Sequence, residues 1–180
     1  MPVTPFHLGP ALLLKAVAGR RFGLGAFTIV QVVIDAESVA NLLLHRYPVH
    51  RFLHTILGAL IVSAIVALAS PWLLTRCHRS LRRWLERRGR DSPWLREVFG
   101  PVGFAASTAG AVFGGVSHVL LDAVMHPDVQ PFAYWERGNP FLSQGGSAWL
   151  HLGCIATGML GTLLWLSRYA TRTERARADS

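Results

Sequence analysis

Hydrophobic and polar residues separate into long blocks along this chain. Residues 22–44 carry only Asp35 and Glu37 as charges, residues 52–75 carry none, residues 98–125 only Asp122, and residues 146–168 only Arg168 at their end. Each block has 23 residues or more, enough to cross a hydrocarbon core of about 30 Å. A helix of a soluble core would show a polar face at helical period, and these blocks lack one. The pattern predicts an all-α, polytopic integral membrane protein with four long transmembrane helices. A shorter apolar stretch precedes them. Pro5–Pro10 reads as an extended entry with Pro10 at a helix start, and the helix stops near Gly19-Arg20-Arg21. About twelve residues of helix rise only about 18 Å, so this segment is either a tilted fifth span or a re-entrant one. Lys15 inside the run, with no basic residue before it and no small-residue cleavage site, sets it apart from a signal peptide. The domain reading is one membrane-embedded helical unit over residues 1–170, with a basic linker at 76–97 and a polar, disordered tail at 171–180.

Composition sharpens this picture. Of 180 residues, 51% are hydrophobic and 10 are Asp or Glu, which excludes charge-driven disorder over most of the chain. Two cysteines exclude a disulfide framework and a cysteine-based zinc finger. The net charge of +8 would suit nucleic acid if the arginines formed a binding face. They instead alternate by connection. Lys15, Arg20 and Arg21, eight arginines within 76–96, and four at Arg168, Arg172, Arg175 and Arg177 lie on one side, 15 against the 3 at Arg46, Arg51 and Arg137. The excess marks the cytoplasmic side. The 76–97 linker and the C-terminus are therefore expected inside, and the connections at 45–51 and 126–145 outside, with no nucleic-acid partner. Cys77 and Cys154 then fall on opposite sides. Gly110 and Gly114, in a run of small residues, form a GxxxG pattern that lets a second helix approach closely. Trp135, Trp149 and Tyr134 suit an interfacial aromatic belt.

Ionisable groups inside apolar blocks point to function, because they are costly in a bilayer. His50 and His54 are four apart, as are His118 and Asp122, with His126 continuing that stripe; on helices each set shares a face. Asp35 and Glu37 are two apart, so a regular helix aims them at different points. Asp35 lies about 13 Å from the outer end of its helix and His118 about 10 Å, while His54 sits a few residues below the outer turn. Asp35, His50, His54, His118 and Asp122 thus converge on the outer half of the membrane, and His7 joins them if the N-terminal segment begins outside. Neutral imidazoles with carboxylates suit Zn²⁺, and also Fe²⁺ or Mn²⁺. Five or six ligands exceed one tetrahedral ion, which leaves room for one or two metals. His126 reads as a rim residue and His151 as a supporting one. Arg51, beside the metals, has the fork geometry for a phosphate.

At these residues the sequence resembles the bacterial inner-membrane metal-dependent hydrolases, a family that includes a LexA-regulated membrane protein. The early histidine of that family is matched by His7. Its D-x-D motif is matched by Asp35-Ala-Glu37, with Glu in the second place. Its H-R-G-x-T-H-S motif is approached by His50-Arg51-Phe-Leu-His54-Thr55, one residue shorter and without the Gly. Its S-H-x-x-x-D motif is matched by Ser117-His118-Val-Leu-Leu-Asp122, and Pro127 and Pro131-Phe132 resemble the proline-rich stretch that follows. The resemblance runs over about residues 5–135 and implies a metal-dependent hydrolase of the bacterial inner membrane, distantly similar to all-α zinc phospholipase C. It implies an ester or phosphoester substrate, which a lipid could carry. The expected ligands are His7, Asp35, His50, His54, His118 and Asp122, with Glu37 and Arg51 as catalytic residues. Two other readings compete: a divalent-cation or proton transporter, and a non-catalytic scaffold whose polar residues pair to set helix packing. A transporter would need ionisable groups in the inner half, yet residues 56–75 and 98–117 hold no charge and no histidine.

Overall fold

A computed structural model describes residues 5–88 and 102–178. The protein is all-helical, 77% helix, with no strand among the described residues. A 3-10 turn, Pro5–His7, leads into α1 (Leu8–Ala18). Four longer helices follow: α2 (Leu24–Leu43), α3 (Ile56–Glu86), α4 (Phe104–Met125) and α5 (Gly146–Ala178). These four are long and apolar enough to cross a membrane. With 11 residues, α1 rises about 17 Å, too short to cross alone. Its end is written in Gly19, whose φ of +57° only glycine adopts without strain and whose N–H reaches the Lys15 carbonyl.

Helix α4 sits at the centre, between α2 and α3. Its small residues make this possible. A Cβ added at Gly110 would lie 2.1 Å from the Gly23 carbonyl oxygen, and one at Gly115 would lie 2.5 Å from the Ser63 hydroxyl. Backbones here approach as closely as the GxxxG reading expects. Ala26, Val30, Ile34, Ala59, Val62, Ala111 and Val119 fill the core between the three helices. Two buried polar groups are satisfied across the same seams: Gln31 donates to the Gly114 carbonyl at 2.9 Å and Ser63 to that of Ala111 at 2.8 Å.

Helix α1 lies alongside α5 and parallel to it. Gly9 meets Cys154, Gly161 meets Leu12 and Leu13, and the Arg168 guanidinium donates to the Ala16 carbonyl. Only 11% of the apolar window of α5 is buried within the protein. Leu152, Ile155, Met159, Leu163 and Leu166 stand exposed along it, a surface suited to lipid rather than water.

Three expectations are corrected. The block 52–75 was expected to be helical with His50 and His54 on one face. Instead α3 starts at Ile56, capped by Thr55, whose side chain accepts the Gly58 N–H at 3.0 Å. His54 closes a separate 3-10 turn, Phe52–His54, and His50 precedes it in a loop. The basic linker is not a separate segment at its start, because α3 runs unbroken to Glu86; its part over 89–97 lies outside the described residues. The disordered tail is replaced by helix as far as Ala178. Arg, Glu and Ala are strong helix formers, so a polar sequence can still be helical.

The close approach at Gly110 carries a test. Gly110→Ala should lower the melting temperature of the detergent-solubilised protein, by the equivalent of about 1–3 kcal/mol, because the clash is with backbone. Gly153→Ala, in α5 with open space around it, should leave it unchanged or raise it. Equal melting temperatures for both variants would refute the packing.

Candidate metal centre

Four elements bring polar side chains to one point. Helix α2 supplies Asp35, α4 supplies His118 and Asp122 one turn apart, and the 3-10 turn before α3 supplies His54. Asp35, His54, His118 and Asp122 each offer a ligand atom within 4.8 Å of the others. Asp122 lies at the centre. Its Oδ2 is 3.2 Å from His118 Nε2 and 3.5 Å from His54 Nε2; its Oδ1 is 3.5 Å from Nε2 of His7, delivered by the first turn of the chain. Asp35 Oδ1 is 3.5 Å from His118 Nε2. His7, His54, His118 and Asp122 are all buried, and the Asp35 side chain is 14% exposed.

The outer ring nitrogens of His118 and His54 are tied down. His118 Nδ1–H donates to Gln31 Oε1 at 2.5 Å, and the Gln31 amide is itself anchored on Gly114. His54 Nδ1–H donates to Glu37 Oε2 at 3.2 Å. An ionised carboxylate only accepts, so Glu37 assigns the proton on His54 to Nδ1 and turns the Nε2 lone pair inward; the Gln31 carbonyl does the same for His118. The His118 lone pair then faces the oxygens of Asp35 and Asp122, acceptor against acceptor, whereas that of His54 faces Asp122 and also accepts from the Ser38 hydroxyl at 3.3 Å. His7 Nε2, His118 Nε2 and Asp122 Oδ1 are buried with no hydrogen-bond partner. Such groups are expensive to bury unmatched, and a cation among them satisfies all of them together.

Spacing agrees with this reading. A tetrahedral ion with ligand bonds of about 2.0–2.2 Å sets its ligand atoms roughly 3.3–3.6 Å apart. Three of the separations here, His118 to Asp122, His118 to Asp35 and His54 to Asp122, are 3.2–3.5 Å, and all lie within 4.8 Å. Imidazoles fixed through Nδ1 to a carboxylate or amide are the usual surroundings of a metal ligand. Burial pushes His7 down to about 4, against a smaller opposing pull from Asp122, so its ring is neutral near pH 7 and free to ligate. For His54 burial works downward too, but Asp122 and Glu37 outweigh it and hold the group above the ordinary imidazole value. Those carboxylates call for positive charge at this point, which a proton on the ring or a divalent cation would supply. The buried cluster can therefore hold a metal ion.

Most of the residues singled out in the sequence meet here. His7, Asp35, His54, His118 and Asp122 converge. His50 is displaced by the loop: its ring stands 4.6 Å from that of His54, but its Nδ1–H donates to Asp128 at 2.8 Å, and it groups with Asp128 and His126. Asp35 and Glu37 aim at different partners, as their spacing demands. Glu37 Oε2 accepts from the Arg51 and Leu53 N–H groups as well as from His54, so Glu37 pins the 51–54 turn. The Arg51 guanidinium is folded back on its own loop, donating to the carbonyls of Tyr47 and Pro48. His151 packs edge-on against Phe6, next to His7. Gln31 and Asp128 were not foreseen. Gln31 had a signal, being a polar residue in an apolar block one helical turn before Asp35.

Comparison of the chain with family models, curated proteins and solved structures finds no match. The chemistry of the cluster therefore rests on its own geometry. Gln31→Leu should weaken metal binding by roughly 10–100-fold, the usual cost of losing a group that orients a ligand, while leaving every ligand in place. Competition with a chelator of known affinity measures this. An unchanged affinity would mean that Gln31 does not orient His118.

Proposed function

We propose that this chain is a membrane-bound, metal-dependent hydrolase that cleaves an ester or phosphoester near the outer membrane face. The supporting observation is the buried set of imidazole and carboxylate atoms at metal-ligand spacing, three of them without a partner. The ion is zinc, with iron or manganese the alternatives that the donor set also suits. The residues that would hold it are His54, His118 and Asp122, with His7 against the second oxygen of Asp122; three protein ligands would leave a fourth position open, with Asp35 beside it. A bound divalent cation supplies a Lewis acid and an activated water at neutral pH.

The protein's own groups do the rest. Glu37 and Gln31 hold two imidazoles in one tautomer and one orientation, so no reorganisation accompanies the reaction. With Oε2 of Glu37 committed to His54 and the backbone, Glu37 is a positioning residue. Asp35 has the most accessible side chain of the cluster, and is the carboxylate suited to take a proton from the attacking water. Arg51 serves substrate only if its guanidinium leaves the Tyr47 and Pro48 carbonyls. The arginine distribution supports a cytoplasmic C-terminus, which puts this end of the bundle outside; the bacterial inner membrane is what the family resemblance implies. The scaffold reading requires paired His–Asp hydrogen bonds; His50 and Asp128 make one at 2.8 Å, whereas His118 Nε2 has no hydrogen-bond partner.

The test is the metal content of the purified protein by elemental mass spectrometry, wild type beside His118→Ala and Asp122→Ala. Near-stoichiometric metal in the wild type, lost from both variants, is expected. Turnover of generic ester and phosphoester substrates should fall in parallel by at least about 10²-fold, the scale of losing an electrostatic catalyst. Wild-type protein without metal, even after ions are added back, would overturn the proposal.

A further inference from the structure

We infer that His50, His126 and Asp128 hold a second divalent cation beside the first, so that the centre is dinuclear and suited to an anionic phosphoester rather than a neutral ester. The inference rests on the metal-centre reading above and extends it to residues on a different part of the chain.

Three ligand-type side chains converge here from segments 78 residues apart, each offering one atom within 4.8 Å of the others. The His50 and His126 rings lie 4.6 Å apart and only 31° from parallel. Asp128 takes both available hydrogens of His50: Oδ1 meets Nδ1 at 2.8 Å and Oδ2 meets the backbone N–H at 3.3 Å. The supporting loop is built and not merely exposed. The Asn139 amide donates to the carbonyls of Ala123 and His126 at 2.7 and 3.0 Å, closing the end of α4. The Ile56 N–H donates to the Pro131 carbonyl at 2.9 Å, tying the same loop to the start of α3.

The chemistry of this set differs from that of the first cluster. Two imidazoles and one carboxylate would supply three ligands and leave other positions to water or substrate; a cation here would replace the proton that His50 Nδ1 and Asp128 Oδ1 share at 2.8 Å. The Asp128 side chain is 30% exposed and His126 is half-buried. His50 stands ring to ring with His54 at 4.6 Å, placing a ligand of each cluster in contact. Paired metal ions about 3.5–4 Å apart clamp the oxygens of a phosphoryl group during displacement. Positive charge for such a group must come from somewhere, and the Arg51 guanidinium is engaged by its own loop. A second cation supplies it.

The experiment counts ions. Full-length protein is purified in detergent without chelators, loaded with Zn²⁺, freed of excess, and analysed by elemental mass spectrometry. Two ions per chain are expected in the wild type, and one in His126→Ala and in Asp128→Asn, with the melting temperature of the metal-free forms checked to establish folding. His126→Gln serves if the alanine variant fails to fold. One ion in the wild type, or two that persist in both variants, would overturn the second site and leave the first standing; in that case Asp128 only orients His50. No ion in the wild type would overturn both. The substrate arm compares phosphodiester and carboxylic-ester model compounds: loss of the second ion should lower turnover of the former by at least 10-fold more than the latter, and equal losses would refute the assignment to an anionic substrate.

Discussion

A carboxylate sunk among imidazoles, inside a bundle whose other surfaces are apolar, is the constraint around which this protein is built. Asp122 is buried on α4 with three Nε2 atoms within 3.5 Å. Charge in such surroundings must be compensated by a partner, a proton or a metal. Every element that reaches Asp122 does so for that purpose. Glycines let α4 lie against α2, which brings Asp35 and Gln31 to His118. The turn before α3 carries His54 in from one side, and the first turn of the chain carries His7 in from another.

The polar residues fall into two roles that the ring nitrogens separate. The Nδ1 atoms of His118 and His54 point outward to Gln31 and Glu37, and the Nε2 atoms of His7, His54 and His118 point to the central carboxylate. A network built only to lock helices together would pair donors with acceptors throughout. Here the outer nitrogens of His118 and His54 are satisfied, while His7 Nε2, His118 Nε2 and Asp122 Oδ1 on the inner side have no partner. Glutamate serves at position 37 because its longer arm spans from α2 to three donors on the 51–54 turn.

Much of this was legible along the chain. The four long helices follow from the length of the apolar blocks, and α1 from its shorter one. Asp35, His118 and Asp122 were found because a charge is conspicuous in an apolar run, and their depths along their helices agreed. Gln31 was overlooked because an uncharged amide does not stand out against an apolar background, although its spacing to Asp35 places both on one helix face. Asp128 and Asn139 sit in a polar loop, where such residues are ordinary, and nothing local distinguishes a ligand or a cap from a solvated side chain. His50 and His54 were placed on one helical face; a local cap at Thr55 overrode that periodicity and put them on a loop and a turn.

The sequence by itself determined the all-helical class, the segments able to cross a membrane and the identity of most of the converging polar residues. Those depend on composition and period, which are local properties. The tertiary structure decided which nitrogen of each imidazole faces inward, that His50 parts from His54 to join His126 and Asp128, and that His7 closes the cluster. These depend on groups 17 to 115 residues apart meeting within a few ångströms, and the packing of α4 against its neighbours sets many of those distances.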